Sequence, residues 1–125
     1  MKICLRFFLL LMVSVPLLAS AEVLHYSLCT LADGKSIADV QTWVDDWRKV
    51  SSKAGIDYKV RILVGHAAPA EEMLPNFAIE GSSPTLTTHA KAWEWWNSDA
   101  DAAKSLAQLL SVAACGSNSI FTTAE

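Results

Sequence analysis

Apolar and polar residues alternate, or recur with helical spacing, along most of the chain, and they predict six elements after an apolar leader. Residues 23–31 (VLHYSLCTL) alternate and are rich in strand-forming side chains, which predicts a first strand. Ser36 can cap a helix whose apolar side chains recur at steps of three and four, and this helix should end near Gly55. Residues 57–65 (DYKVRILVG) predict the second strand.

The second half of the chain continues the pattern. Residues 76–80 (NFAIE) alternate and predict a short strand, which the turn-forming run 81–84 (GSSP) closes. A long helical stretch covers about 85–112, and the polar run 97–99 (NSD) can divide it in two. Residues 119–124 (SIFTTA) predict a terminal strand.

The order strand, helix, strand, strand, helix, strand is that of a ferredoxin-like βαββαβ domain. This α+β topology has a four-stranded antiparallel sheet in the order 4-1-3-2 and both helices on one face. It places the last strand beside the first, so Cys29 at the end of one and Cys115 before the other come within bridging distance. We therefore predict a Cys29–Cys115 disulfide.

The first 21 residues form an apolar segment with a short basic start, no acid and a small-residue end (ASA), which is typical of a secretory signal peptide. We predict cleavage between Ala21 and Glu22, leaving a single domain, 22–125. An uncleaved anchor helix is the alternative, but the apolar stretch 3–18 is interrupted by Arg6 and is shorter than the roughly 20 residues that span a membrane. The mature protein is expected to be periplasmic or secreted, without a stable membrane anchor.

Charge excludes one class of partner. The whole chain has ten Lys and Arg residues, 13 Asp and Glu residues and a formal net charge of −3. Because the predicted signal peptide holds two of the basic residues and no acid, the mature domain carries a charge of about −5. Such a domain lacks the basic surface that phosphate binding needs, so no nucleic-acid partner is expected.

A sheet with helices on one face leaves its other face for solvent, a partner or a ligand. The helix-facing set is expected to be Tyr26, Val60, Ile62, Phe77 and Ile79, and the opposite set His25, Ser27, Lys59, Arg61, Leu63, Ala78 and Glu80. His25, Arg61 and Glu80 would then form a polar cluster with Lys59 nearby, and these four are ligand-binding candidates because His transfers protons and Arg holds anions. A solvated or dimer-facing surface with incidental ion pairs is the alternative.

Five tryptophans are a heavy load for a domain of this size. Trp47, Trp93 and Trp96 have the spacing of core residues, whereas Trp43 and Trp95 lie on other helix faces and are candidates for an interface or a ligand.

No histidine pair has metal-ligand spacing, and the chain has no glycine-rich phosphate loop or GxSxG motif. We therefore expect no metal and no cofactor. His66, in the loop after the second strand, is interpreted as a surface histidine.

The layout resembles the dimeric α+β barrel superfamily, and more narrowly its small exported bacterial proteins without assigned function. The resemblance rests on CTLxDGK at 29–35, the DYKVRILV strand, a Trp-rich second helix and CGSxSxF at 115–121. It implies a homodimer in which two sheets close into a barrel, with relatives that include monooxygenase-like and haem-degrading enzymes. Haem-degrading members use an Asn on the first strand, a Trp and a helix His, a set that His89 and Trp93 do not reproduce here.

Two functions follow as hypotheses. The first is an exported, disulfide-bonded dimer that binds a small molecule or a protein through its open sheet face. The alternative is a cofactor-independent monooxygenase or isomerase-like enzyme that uses His25 and Arg61 in a barrel cavity.

Overall fold

The fold has the predicted topology. The computed structural model describes residues 21–65 and 77–124, so most of the predicted signal peptide and His66 lie outside the described residues. The elements are β1 (Val23–Leu31), α1 (Ile37–Lys53), β2 (Lys59–Val64), β3 (Phe77–Ser83), α2 (Leu86–Ser98), α3 (Ala100–Val112) and β4 (Ala113–Thr122). The strands form one antiparallel sheet in the order β2-β3-β1-β4, which confirms the predicted ferredoxin-like arrangement.

Two strands are longer than their sequence pattern predicted. β3 continues through residues 81–83, which were expected to form a turn, and β4 begins directly after α3 rather than at residue 119. Both pair with β1 along its length, from Val23↔Ser83 on one side to Leu31↔Ala113 on the other. Because β1 is central, the backbone groups on both of its edges need partners, and this need overrides the local turn signal.

The helices begin and end at recognisable caps. The Asp39 carboxylate accepts hydrogen bonds from the backbone N–H and the hydroxyl of Ser36 at the start of α1. Gly55 follows the helix with a φ of +69°, a conformation that glycine adopts without strain. Asp99 separates α2 from α3 and accepts from the N–H groups of Asp101 and Ala102, so the predicted break in the long helical stretch is confirmed.

The core lies between the helices and one face of the sheet. Its buried members are Cys29, Val40, Trp43, Val44, Trp47, Val60, Phe77, Ile79, Leu109, Val112 and Ala113. Cys29 and Cys115 pair directly across β1 and β4, with Cα atoms 4.0 Å apart and their Sγ atoms bonded, as predicted. Within the described residues no helix is both long enough and apolar enough to cross a membrane.

The sheet register corrects the predicted assignment of β1 side chains to faces. His25 pairs with Gly81, whereas Tyr26 pairs with Glu80, so it is Tyr26 that shares a face with Glu80 and Arg61. His25 and Ser27 instead face the helices, with Cys29. We call the helix-packed side the covered face and the other the open face. The predicted faces of β2 and β3 are correct, and that of β1 is inverted.

Candidate functional site

A cavity of about 210 Å³ lies between the covered face and the helices. Its lining comprises His25, Ser27, Trp43, Trp47, Tyr58, Val60, Ile79, Gly81, Ala92, Trp93, Trp96, Leu106, Leu109, Leu110, Cys115 and Asn118. None of these described lining residues carries a fixed charge, and the walls are mainly aromatic and aliphatic. Such a cavity favours a small, uncharged and largely apolar molecule.

Three lining residues mark where the cavity opens to solvent. Trp93 on α2 is 46% exposed and Leu110 on α3 is 60% exposed. Asn118 on β4 is also exposed. The opening therefore lies where α2 and α3 approach β4.

The polar centre of the cavity is a hydrogen bond between His25 and Tyr58. The two atoms, His25 Nδ1 and Tyr58 Oη, are 3.0 Å apart. His25 is only 8% exposed, and its second ring nitrogen, Nε2, is buried without a hydrogen-bond partner among the described residues. The imidazole lines the cavity with one nitrogen anchored by Tyr58, so a bound molecule that displaces the side chains around Nε2 can exchange a proton with it.

Gly81 makes this hydrogen bond possible. A Cβ atom at this position would lie 1.8 Å from Tyr58 Oη and 2.2 Å from the ring carbon that carries it. The β3 backbone beside His25 must therefore carry no side chain for the phenol to fit. This is the reason that a glycine continues the strand where the sequence suggested a turn.

Burial sets the protonation of both partners. Desolvation lowers the pKa of His25 below its ordinary value of 6.5, whereas the Asn118 side chain, which lies near the imidazole but outside hydrogen-bond geometry, opposes this effect and the nearby His89 adds to it. Burial raises the pKa of Tyr58 to about 12, so the phenol remains protonated near neutral pH. Both groups are therefore uncharged near pH 7.

A bulge in β4 brings Asn118 into the cavity. The register shifts between Tyr26↔Ser119 and Leu28↔Gly116, so residues 117 and 118 lie opposite the single residue Ser27. The Ser27 hydroxyl donates a hydrogen bond to Asn118 Oδ1. Without the extra residue, Asn118 would lie on the open face.

A second histidine packs beside the pair. The His89 ring on α2 is stacked on Trp93, with centroids 6.4 Å apart. Its centroid also lies 6.1 Å from that of His25, in an edge-on arrangement, and 5.8 Å from that of Tyr58, in a tilted one. Its Nδ1 is buried without a partner among the described residues. Among all residues that the structure describes, no three His, Cys, Asp or Glu side chains are grouped so that they could hold a metal ion.

The other predicted site residues lie on the open face. Arg61 and Glu80 were predicted to lie close together, and they form an ion pair there, with the Arg61 side chain 68% exposed. Tyr26 hydrogen-bonds to Glu80, and Lys59 is exposed on the same face. The predicted cluster of His25, Arg61 and Glu80 is therefore wrong, because the sheet separates His25 from the other two.

The tryptophans also differ from expectation. Trp93 was predicted in the core but stands at the cavity mouth, and Trp43, predicted at an interface or ligand, is buried in the core and lines the cavity. Trp95, the other ligand candidate, packs its ring 5.4 Å from that of Trp47 and does not line the cavity. Trp47 is buried in the core as predicted, and Trp96 is partly buried and packs against the core.

Sequence reasoning missed Tyr58, Asn118 and Gly81 as site residues. Tyr58 alternates in phase with Val60 and Ile62, which predicts its face, but nothing in the pattern marks it as a site residue. The position of Asn118 depends on a bulge, which has no signal in the sequence. The orientation of His25 did have a signal in the sequence. His25 and Cys29 are four residues apart in β1 and therefore share a face, and a disulfide-bonded cysteine is expected in the core.

Solved structures share the fold at low sequence identity. The cofactor-independent oxygenase SnoaB of Streptomyces nogalater superposes with a TM-score of 0.56 at 10% identity, covering 84% of this chain and 95% of that one. The hydroxynitrile lyase of Passiflora edulis gives 0.57 at 11% identity, with 85% and 96% covered. A dimeric ferredoxin-like protein of unknown function from Thermobifida fusca gives 0.50 at 15% identity, with 85% and 92% covered.

These similarities confirm the resemblance to the dimeric α+β barrel proteins at the level of the fold. No protein-family model and no curated protein matches the sequence.

Proposed function

We propose that this protein is an acid–base enzyme that acts on a small, uncharged, mainly apolar molecule in the cavity of the covered face. His25 is the general base and Tyr58 is its positioning partner. The observation that carries the proposal is the His25–Tyr58 hydrogen bond at the wall of an aromatic cavity, with His25 Nε2 left unpaired.

The size and lining of the cavity define the substrate class. An apolar cavity of about 150 Å³ in another protein is large enough for benzene, whereas drug-sized ligands need roughly 300 Å³ or more. At about 210 Å³ the cavity suits one substituted ring or an aliphatic molecule of similar size. Burial of a charged substrate would be costly here, because the described lining provides no counter-charge.

The chemistry follows from the two ring nitrogens. When Nδ1 carries the proton and donates to Tyr58 Oη, Nε2 carries the lone pair of the imidazole. A substrate O–H or activated C–H can transfer its proton to Nε2, and the imidazolium that forms remains held by Tyr58. The lowered pKa of His25 keeps the base neutral and available near pH 7.

The fold comparisons include proteins that are enzymes. Among the proteins that share the fold are a cofactor-independent oxygenase and a hydroxynitrile lyase. Both activities belong to small-molecule enzymes, which supports an enzyme over a purely structural role. They are similar to this chain in fold alone, so they specify neither the reaction nor the substrate.

Proton exchange into D₂O tests the base directly. Phenylacetone carries C–H protons activated by a carbonyl, and NMR measures their replacement by deuterium. We expect wild-type protein to accelerate exchange and His25→Gln to lower the rate by about 10²- to 10⁴-fold. Tyr58→Phe should lower it by roughly tenfold, because the imidazole loses its partner.

Lys91→Gln is the matched control, since Lys91 is exposed on α2 and should leave exchange unchanged. Saturable binding of phenylacetone by wild-type protein, with exchange no faster than in His25→Gln, would leave a binding protein rather than an enzyme.

We propose that the open face is a homodimer interface. Leu28 and Phe121 are 44% and 55% exposed on this face, and the Phe121 ring packs edge-on against Tyr26. The dimeric ferredoxin-like protein with the same fold supports this arrangement. Native mass spectrometry should give a dimer for wild-type protein and a monomer for Phe121→Lys; a wild-type monomer would refute the interface.

We also propose that the protein is exported to the periplasm or secreted, with residues 1–21 removed. The Cys29–Cys115 disulfide supports an oxidising compartment. Intact-mass analysis of protein recovered from its own host should show Glu22 as the first residue, and retention of the leader would contradict cleavage.

A further inference from the structure

The tryptophan indoles differ in how their N–H groups are satisfied. Trp43 Nε1 donates to the backbone oxygen of Ser105 at 3.0 Å and to its hydroxyl at 3.1 Å. Trp47 lies one helical turn further along α1 and is 4% exposed, yet its Nε1 is buried with no hydrogen-bond partner among the described residues. A buried indole N–H normally finds a partner, and an unpaired one is costly.

The position of Trp47 indicates where that partner comes from. The side chain lines the cavity, as do Tyr58, Trp43 and Trp96, whose rings lie 6.1, 6.2 and 4.9 Å from it. These contacts fix the indole, so it cannot turn to reach a protein acceptor without displacing several neighbours. A molecule in the cavity can supply the acceptor when it displaces a side chain that covers Nε1, because this atom has almost no accessible surface.

We infer that Trp47 Nε1–H is a specificity-determining donor that selects ligands with an oxygen acceptor, such as a carbonyl, in the cavity. The inference rests on the proposed function, because it assumes that the cavity is the ligand site. It adds a second polar contact, distinct from the base at His25 Nε2. The ligand class is narrowed to a small neutral molecule with an apolar body and at least one hydrogen-bond acceptor.

Trp95 provides an internal comparison. Its Nε1 is also buried without a partner among the described residues, but the side chain does not line the cavity. A cavity ligand should therefore reach the indole of Trp47 and not that of Trp95. Trp43, whose N–H is already bonded to Ser105, should also be unaffected.

Two probes of nearly the same shape test the inference. Acetophenone has a carbonyl oxygen where α-methylstyrene has a CH₂ group. NMR titration of the wild-type protein, with indole N–H signals assigned by Trp→Phe variants, should move the Trp47 signal downfield with acetophenone only. The signals of Trp43 and Trp95 should show no such shift.

Affinity gives an independent measure. Wild-type protein should bind acetophenone roughly two- to tenfold more tightly than α-methylstyrene, which corresponds to one net hydrogen bond. Trp47→Phe should reduce this ratio to about one while retaining affinity for α-methylstyrene. The NMR measurement uses only wild-type protein, so a variant that fails to fold does not prevent a decision.

The outcomes separate the two proposals. Equal binding of both probes with an unmoved Trp47 signal would overturn the donor role and leave the cavity as the ligand site; the indole N–H would then be held by neighbouring rings. A preference for acetophenone that survives in Trp47→Phe would also overturn it, since another group would recognise the carbonyl. If neither probe binds, nor any other single-ring molecule, the cavity itself fails as a ligand site.

Discussion

The two faces of the sheet each carry a polar pair, and the pairs differ in charge. On the covered face His25 and Tyr58 are joined by a hydrogen bond between neutral groups. On the open face Arg61 and Glu80 form an ion pair, in which Glu80 is buried and Arg61 is exposed. The environments explain the difference, since a largely apolar cavity disfavours charge whereas an exposed guanidinium retains its hydration.

The pKa values of His25 and Glu80 are both lowered, but the consequences for their charges are opposite. The lowered pKa of His25 keeps a base neutral, and the lowered pKa of Glu80, caused mainly by its bond to Arg61, keeps an acid charged. Only the histidine has an ordinary pKa close to neutral pH and a nitrogen free to accept a proton. The proposed proton transfer near neutral pH therefore belongs to the covered face, and the ion pair of the open face fits a structural or interface role.

Among the substitutions that test the two faces, removal of the disulfide, which lies on the covered face, should cause the largest loss of stability. The disulfide links residues 86 apart, for which chain entropy suggests about 4 to 5 kcal/mol of stabilisation. The double variant Cys29→Ser with Cys115→Ser should lose most of this in chemical denaturation. Hydrogen exchange should show a greater loss of protection between β1 and β4 than between β2 and β3. Equal loss in both pairs of strands would show that the bond does not act locally.

The next largest loss of stability should come from Gly81→Ala. The added Cβ would overlap Tyr58, whose ring is held between Trp47 and His89, so the phenol cannot move away freely. We expect a loss of about 1 to 3 kcal/mol in the free energy of unfolding, with loss of cavity binding.

Gly116→Ala is the matched control for this substitution. It changes a glycine in β4 where a Cβ meets no atom within 4 Å among the described residues, so its effect should stay within about 0.5 kcal/mol. An equal loss in both variants would show that β propensity, rather than contact with Tyr58, determines the result.

The fold was more predictable than the site, and the strands show why. Element order and the Cys29–Cys115 pairing depend on patterns that extend over many residues and agree with each other. Successive side chains of β1 point to opposite faces, so a shift of one residue exchanges the side chains that face the helices with those that do not. The apolar residues Leu24, Tyr26 and Leu28 suggested the wrong set. They lie on the open face because the covered face of β1 includes polar residues that line the cavity.

The site depended on tertiary features without a local signal. The bulge that brings Asn118 into the cavity and the close approach of Tyr58 to Gly81 both arise from the pairing of distant segments. Trp93 also had core spacing, yet it remains half-exposed because it stands at the mouth of a cavity rather than against the sheet.

A smaller effect should appear in the pH dependence of stability. Because the folded-state pKa of His25 lies below 6.5, the unfolded chain binds more protons as pH falls through this range, and stability should decline. His25→Gln removes this contribution, so its stability should change less between pH 7 and the lowered pKa. Chemical denaturation at a series of pH values measures the difference, and parallel curves for both proteins would contradict a neutral, desolvated His25.

The smallest effect should be on the open face, where Arg61→Gln leaves Glu80 buried but without its cation. The lowered pKa of Glu80 means that the ion pair contributes fully above the ordinary carboxyl value of 4.5 and is lost as pH falls through the folded value. Without Arg61 that pKa should rise, so acid unfolding should begin at a higher pH than in wild-type protein. Lys59→Gln removes the same charge from the same face and should leave the acid midpoint nearly unchanged. If both variants shift it equally, net charge rather than the specific pair stabilises the open face, and cavity binding should be unaffected in either case because the sheet separates the two sites.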